Sequence, residues 1–202
     1  MTVALPTLAG AGSDFLTLDQ LMARCGTYCW VEHRLFALTG QWASDEGDPE
    51  CRVLFSTMSR QHALVASQWR DRLPVRAGID PEALVVPPAG PMGPALDVLE
   101  AQTDVFLRLA GLVEVVLPRL RATYGEHLAR ASAVRQAPVM AVLRYARLVG
   151  AAEISSGHAL VQYRLQQGER AEERAEIWAE FGPELQRPFG SVAGIFPVAR
   201  AS

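Results

Sequence analysis

Lysine is absent from this chain of 202 residues, so all 19 of its basic side chains are arginines. They are outweighed by 22 acidic residues, and the formal net charge is −3. A domain that binds nucleic acid normally carries an excess of positive charge on its surface. We therefore expect no nucleic-acid partner. The exclusive use of arginine, together with abundant alanine, leucine and valine, is typical of a GC-rich bacterial genome.

Long apolar runs are also missing, and we expect no secretory leader. No stretch approaches the roughly 18 uninterrupted apolar residues that a membrane-spanning helix needs, so we expect no membrane association. Residues 1–12 contain no basic segment followed by an apolar core, which argues against a secretory signal. The three cysteines are an odd number, as is common in chains with reduced thiols. These absences predict a cytoplasmic protein.

The cysteines do not form a recognisable metal-binding motif. Cys25 and Cys29 lie on one face of a predicted helix, where they would supply half of a zinc site. Two more soft ligands would be needed, and Cys51 is the only other cysteine. We therefore interpret the thiols as small buried side chains of the core.

The apolar positions repeat with the spacing of amphipathic helices, and they predict an all-α protein. Four long helices are expected, over about residues 18–44, 50–73, 95–122 and 138–167. Thr17 or Ser13 is expected to cap the first helix. Pro49 and Pro138 suit the first turns of the second and fourth helices, and Pro74 should end the second.

A proline-rich connection over about residues 74–94 separates the second helix from the third. Its length indicates a crossover along a four-helix bundle that has a single long connection. We expect a flexible leader at 1–14, the bundle domain at 15–167, and a C-terminal appendage at 168–202 with a short helix over about 168–181. Apolar residues of the irregular tail should pack on the bundle: Phe189, Ile195 and Phe196.

One charged or titratable residue interrupts the apolar stripe of each long helix: Glu32, His62, Glu114 and Glu153. A buried ionised side chain costs free energy unless it is paired or bound to a metal ion. Glu32 and His62 are equidistant from residue 47, so an antiparallel hairpin would bring them to one height. With a second turn near residue 132, the heights of Glu114 and Glu153 along the bundle would differ by only about 4–5 Å. We expect all four side chains to converge.

With one inward glutamate on each of helices one, three and four, and a histidine on helix two, the chain resembles the ferritin-like superfamily over about residues 15–167. Members of this superfamily hold two irons inside a four-helix bundle, and two of their helices carry Glu-x-x-His. Here the second helix has Ser59 three positions before His62, and the fourth has Ser156 three positions after Glu153. Each motif is therefore half complete.

Three functions are consistent with this pattern. In the leading hypothesis, Glu32, His62, Glu114 and Glu153 bind iron or manganese, and the protein oxidises or hydroxylates a small molecule, for instance in specialised metabolism. In the second, the degenerate site holds no metal, and Glu32 and His62 catalyse an isomerisation or cyclisation by acid–base chemistry. In the third, a non-catalytic bundle binds a partner. A homodimer is compatible with each hypothesis.

The remaining histidines are less suited to the site. His158 lies about 140° round the helix from Glu153, a poor position for sharing a ligand. His33 adjoins Glu32 and should point elsewhere, and His127 is expected to be exposed to solvent in a turn. The sequence contains neither a glycine-rich phosphate loop nor a nucleophile elbow.

Overall fold

The computed structural model describes residues 16–75, 78, 80–166, 170–190 and 194–196. Within these ranges the chain is helical and contains no strand, so the predicted all-α class is confirmed there. None of the helices in the same ranges is long and apolar enough to cross a membrane. The expected leader at 1–14 lies outside the described residues.

The first two long helices form an antiparallel hairpin, α1 (Leu18–Asp45) and α2 (Pro49–Arg70). Thr17 caps α1: its side chain accepts a hydrogen bond from the backbone of Gln20, whose side chain accepts one from the backbone of Thr17. Asp48 caps α2, and Pro49 occupies the first turn, as predicted. The second helix ends at Arg70 rather than near residue 73, before Pro74.

The connection after α2 crosses the surface of α1. It contains a short 3₁₀ helix, Pro81–Leu84, before α3 begins. A Cβ atom added to Gly26 of α1 would lie 1.9 Å from the backbone oxygen of Leu84. Only glycine therefore allows this close approach between the crossover and α1.

The predicted third helix is interrupted, and the expectation of one continuous helix over 95–122 is wrong. Its parts are α3 (Met92–Ala101), α4 (Val105–Ala110), a π-helical segment (Gly111–Val116) and α5 (Leu117–Arg130). The break has a local cause: the side chain of Gln102 accepts hydrogen bonds from the next two backbone N–H groups, and Asp104 caps α4. The wider π-helical turns precede Pro118, which has no N–H to donate.

The chain ends with two further helices, α6 (Ala137–Gln166) and α7 (Ala171–Gln186). Helix α6 starts where Pro138 predicts it, whereas α7 continues beyond the expected end near 181. As predicted, Phe189 and Ile195 are buried and Phe196 packs against the core. The backbone N–H of Ile195 donates to Thr123 Oγ1 at 2.8 Å, which attaches this part of the tail to α5.

Four long helical segments surround one apolar core: α1, α2, the continuous stretch from α4 to α5, and α6. The stretch from the π-helical segment to α5 runs antiparallel to α6, because Gly125 faces Arg147 and Val113 faces Gly157. Helix α7 packs against α4 and α6. Most buried side chains are apolar. The few titratable side chains among them are candidates for a functional site.

Candidate functional site

Three of the four predicted residues meet in the core. Glu32 of α1, His62 of α2 and Glu153 of α6 are only 2%, 2% and 6% exposed. Glu32 Oε2 lies 2.6 Å from His62 Nδ1, and Glu153 Oε2 lies 3.8 Å from His62 Nε2. The expected common height of Glu32 and His62 is confirmed. We call these three side chains the buried triad.

Tyr124 of α5 holds the first carboxylate of the triad from the opposite side. Its hydroxyl donates to Glu32 Oε1 at 2.5 Å, so both oxygens of Glu32 are engaged, one by Tyr124 and the other by His62. Sequence reasoning missed Tyr124 because the third helix was expected to end near residue 122. The apolar positions Leu117 and Leu120 continue to Tyr124 at helical spacing, and that was the available signal.

The other two members of the triad have free polar atoms. His62 Nε2 and Glu153 Oε1 are buried and make no hydrogen bond to any residue that the structure describes. Both side chains line a cavity of about 10 Å³, which is about the room that one water molecule needs. Apolar side chains, including Leu117 and Leu120, form much of its wall, with Gly150 and Arg121 at its α5–α6 side. The triad therefore presents one nitrogen and one oxygen to a space of single-atom size.

Burial and mutual charge shift the ionisation of the triad. Burial disfavours the charged imidazole of His62, but Glu153 and Glu32 outweigh it, and the pKa of His62 is raised. Burial raises the pKa of Glu153, against the opposing charge of His62. The pKa of Tyr124 is raised well above its usual value, by burial and then by Glu32, so its hydroxyl keeps its proton and donates. His62 and Glu153 therefore both bind a proton more tightly than the same groups do in water.

Glu114 does not join the triad, and the expected convergence of four side chains is wrong. Its Oε1 lies 2.7 Å from Nδ1 of His158, at a partly exposed position. The α5–α6 hairpin is centred near residue 135 instead of 132, which puts Glu114 level with His158. Val113, the preceding residue, takes the inward position against Gly157. His33 is exposed and also lies outside the triad.

His127 is buried, which contradicts the expectation that it is solvated. It is 1% exposed, because α5 continues through it to Arg130. Its Nδ1 lies 3.1 Å from the hydroxyl oxygen of Tyr28, and its Nε2 has no hydrogen-bond partner. Burial, with a smaller effect of Arg24, lowers the pKa of His127 to about 4. The ring is therefore neutral at physiological pH.

The three cysteines serve as core side chains, as interpreted from their spacing. All are free and buried, and the thiol of Cys29 donates to the backbone oxygen of Ala66. Burial raises the pKa of Cys25 and of Cys51 to about 12. These thiols consequently lack the thiolate character of a nucleophile or a metal ligand.

The side chains present fit the expected iron or manganese centre only in part. His62 and Glu153 line the cavity, and His62 Nε2 and Glu153 Oε1 carry lone pairs that no described hydrogen bond uses, so each could bind a metal ion. Both oxygens of Glu32 are engaged by hydrogen bonds, and Glu114 lies elsewhere. In the part of the chain that the structure describes, no three His, Cys, Asp or Glu residues are arranged to hold a metal ion. Two donor residues fall short of the three that typical non-haem iron sites use.

Comparisons with protein-family models, with curated proteins and with solved structures gave no match. The resemblance to the ferritin-like superfamily therefore stays a prediction, as do metal binding and oxidation. The function has to be inferred from the chemistry of the buried triad and of the space around it.

Proposed function

We propose that the chain is an enzyme that isomerises a small molecule by moving a proton, with His62 and Glu153 as the acid–base pair. The observation that carries this proposal is the free Nε2 of His62, which faces Glu153 across 3.8 Å in a small buried cavity. Titratable groups with shifted pKa values that line a small, largely apolar cavity are typical of acid–base sites.

Glu32 acts as the positioning residue in this proposal. Its Oε2 accepts the Nδ1–H of His62, which fixes the ring and leaves Nε2 to exchange protons. Its Oε1 is occupied by the hydroxyl of Tyr124, so neither oxygen of Glu32 is available to a substrate. The role of proton acceptor that the sequence suggested for Glu32 is therefore assigned to Glu153 instead.

The proposed reaction needs no oxidant. The carboxylate of Glu153 removes a proton from a carbon next to a carbonyl group, while protonated His62 donates its Nε2 proton to the carbonyl oxygen. An enol results. Protonated Glu153 then returns its proton to a carbon that is conjugated with the enol, and the enol O–H proton goes back to His62, which completes the isomerisation and restores both groups. Positioned acid–base groups typically contribute about 10²–10⁴-fold to a rate.

Exchange of substrate hydrogen for deuterium tests the proposal without knowledge of the product. The protein is incubated in D₂O with 4-methylcyclohexanone, and the hydrogens beside its carbonyl are followed by proton NMR. We expect the wild type to accelerate exchange, and His62→Gln and Glu153→Gln to lose the acceleration. The matched controls His33→Gln and Glu176→Gln, at exposed positions, should keep it. Equal exchange in all five proteins would refute the assigned acid–base pair.

A single bound metal ion is the second candidate. It is favoured by one observation: the two free donor atoms, His62 Nε2 and Glu153 Oε1, line a cavity large enough for one ion. Glu32 would then orient His62 from behind, as carboxylates do for metal-binding histidines. Elemental analysis of tag-free protein expressed with iron and manganese tests it. About one equivalent of metal, lost in His62→Gln, would support this candidate over metal-free proton transfer.

A further inference from the structure

A groove between α2 and α6 leads to the buried triad. Its volume is about 320 Å³, which falls within the range of small-molecule sites. Six of the side chains that line it are apolar or aromatic: Leu54, Met58, Tyr145, Leu148, Val149 and Ala152. Its polar lining consists of Thr57, Gln61, Ser156 and, from the triad, Glu153.

Glu153 connects the groove with the small cavity beside His62. It lines both spaces, as does Val149 one turn earlier in α6. The side chain of Glu153 is more than nine-tenths buried, and its Oε1 has no hydrogen-bond partner in the described part of the chain. A molecule in the groove therefore meets the side chain of Glu153, beyond which lies a space of about 10 Å³ that accommodates one atom.

The charge of the groove limits what it can hold. Among the described residues that line it there is no arginine or histidine, and Glu153 is the one with a carboxyl group. A carboxylate or phosphate would lose hydration there next to a group of its own sign. The cavity beyond Glu153, which His62 and Arg121 line, has room for one atom and cannot admit either anionic group. By contrast, a separate surface groove beside Cys29 is lined by Arg34, Arg70 and His33.

We infer that the substrate is a neutral, mainly apolar molecule with one carbonyl group, bound in the α2–α6 groove. Its apolar body lies against Leu54, Met58 and Leu148, and its carbonyl oxygen reaches past Glu153 toward His62 Nε2. The small cavity admits the oxygen atom and nothing larger. This assignment of substrate class rests on the proposed proton transfer, because only that reaction requires a carbonyl group at His62.

Binding can be measured independently of turnover through the methyl group of Met58. We would label the methionine methyl groups with carbon-13 and titrate the protein with 4-methylcyclohexanone and with 4-methylcyclohexanecarboxylate. The ketone should shift the Met58 signal saturably and leave that of Met92, buried in α3, unchanged. The carboxylate should bind at least about tenfold more weakly.

Two phenylalanine variants of α6 locate the ligand. Ala152→Phe fills the groove from an exposed position and should abolish the Met58 shift. Ala159→Phe makes the same change two turns further along α6, at an exposed residue outside the groove, and should preserve it.

The results separate the binding site from the reaction. A saturable Met58 shift without deuterium exchange would overturn the proposed reaction and leave the groove as a site for neutral ligands. Deuterium exchange that persists in Ala152→Phe would overturn the groove as the substrate site and leave the acid–base pair. Carboxylate binding as tight as ketone binding would overturn the assigned substrate class.

Discussion

His62 and Glu32 are joined across the α1–α2 hairpin by a contact of 2.6 Å between Nδ1 and Oε2, which leaves Nε2 as the one free nitrogen of the ring. This contact determines which atom of the triad can exchange protons with a substrate. The aromatic and apolar walls around it exclude bulk water, so its electrostatic effect on His62 is stronger than at a surface.

Removing the charge of Glu32 should slow proton exchange without removing the acid–base pair. In Glu32→Gln, the amide keeps the size of the side chain but no longer stabilises protonated His62. We expect the exchange rate of 4-methylcyclohexanone to fall by about 10²–10⁴-fold. The pH profile of the remaining exchange should move to lower pH, because the pKa of His62 falls.

Glu176→Gln is the matched control, since Glu176 is exposed on α7. It should change neither the rate nor the pH profile. A wild-type rate and an unmoved profile in Glu32→Gln would show that Glu32 does not position His62.

Tyr124→Phe should reduce stability. The substitution removes the one hydroxyl that donates to Glu32 Oε1 and leaves a buried carboxylate oxygen without that bond. We expect the free energy of unfolding to fall by about 1–3 kcal/mol, measured by urea denaturation. Tyr163→Phe alters an exposed tyrosine and should have an effect close to zero. Equal effects of the two substitutions would contradict the assigned role of Tyr124.

The buried His127 should make stability depend on pH. Its pKa is about 4 in the folded chain, whereas an unfolded histidine titrates near about 6.5. Between these values the unfolded state binds more protons, so the free energy of unfolding falls as the pH is lowered. From pH 7 to pH 5 this group should account for a loss of about 2 kcal/mol.

His127→Gln isolates that contribution, because glutamine does not titrate. Urea denaturation of the wild type and of His127→Gln at pH 7 and at pH 5 measures how far the free energy of unfolding falls between these pH values. The fall should be smaller in the variant, by about the amount assigned to His127. An identical loss in both proteins would mean that His127 is accessible to protons in the folded state.

Two glycine-to-alanine substitutions in helices should have opposite signs. A Cβ at Gly26 would collide with the backbone oxygen of Leu84, so Gly26→Ala should destabilise the chain by about 1–3 kcal/mol. A Cβ added at Gly150 of α6 would meet no atom within 4 Å, and Gly150→Ala should stabilise its helix by about 0.5–1 kcal/mol. Destabilisation of equal size at both sites would indicate that the crossover does not lie against α1.

The helices and the α1–α2 register were predictable because both depend on local patterns. Thr17, Pro49 and Pro138 mark helix starts through their own backbone chemistry. The contact between Glu32 and His62 follows from a short turn, which brings residues equidistant from it together. Each of these inferences uses only the spacing of residues within a helix or a hairpin.

Contacts between the two hairpins were not predictable in the same way. Tyr124 reaches Glu32 across 92 residues of chain, and no helical period specifies that packing. The misplacement of Glu114 arose from the π-helical segment and from a turn centred later than expected, which together set the height of that residue. His127 was assigned to a turn because its neighbours are polar, although α5 extends past it.

The most direct test of the account is a pH titration of nitrogen-15-labelled histidine in the wild type and in Glu153→Gln, with the His62 signals followed by NMR. We predict that Nδ1 stays protonated, that Nε2 titrates with a pKa above the usual value of about 6.5, and that this pKa falls in Glu153→Gln. A His62 ring with its neutral-state proton on Nε2, or a pKa that Glu153→Gln leaves unchanged, would contradict the proposed acid–base pair.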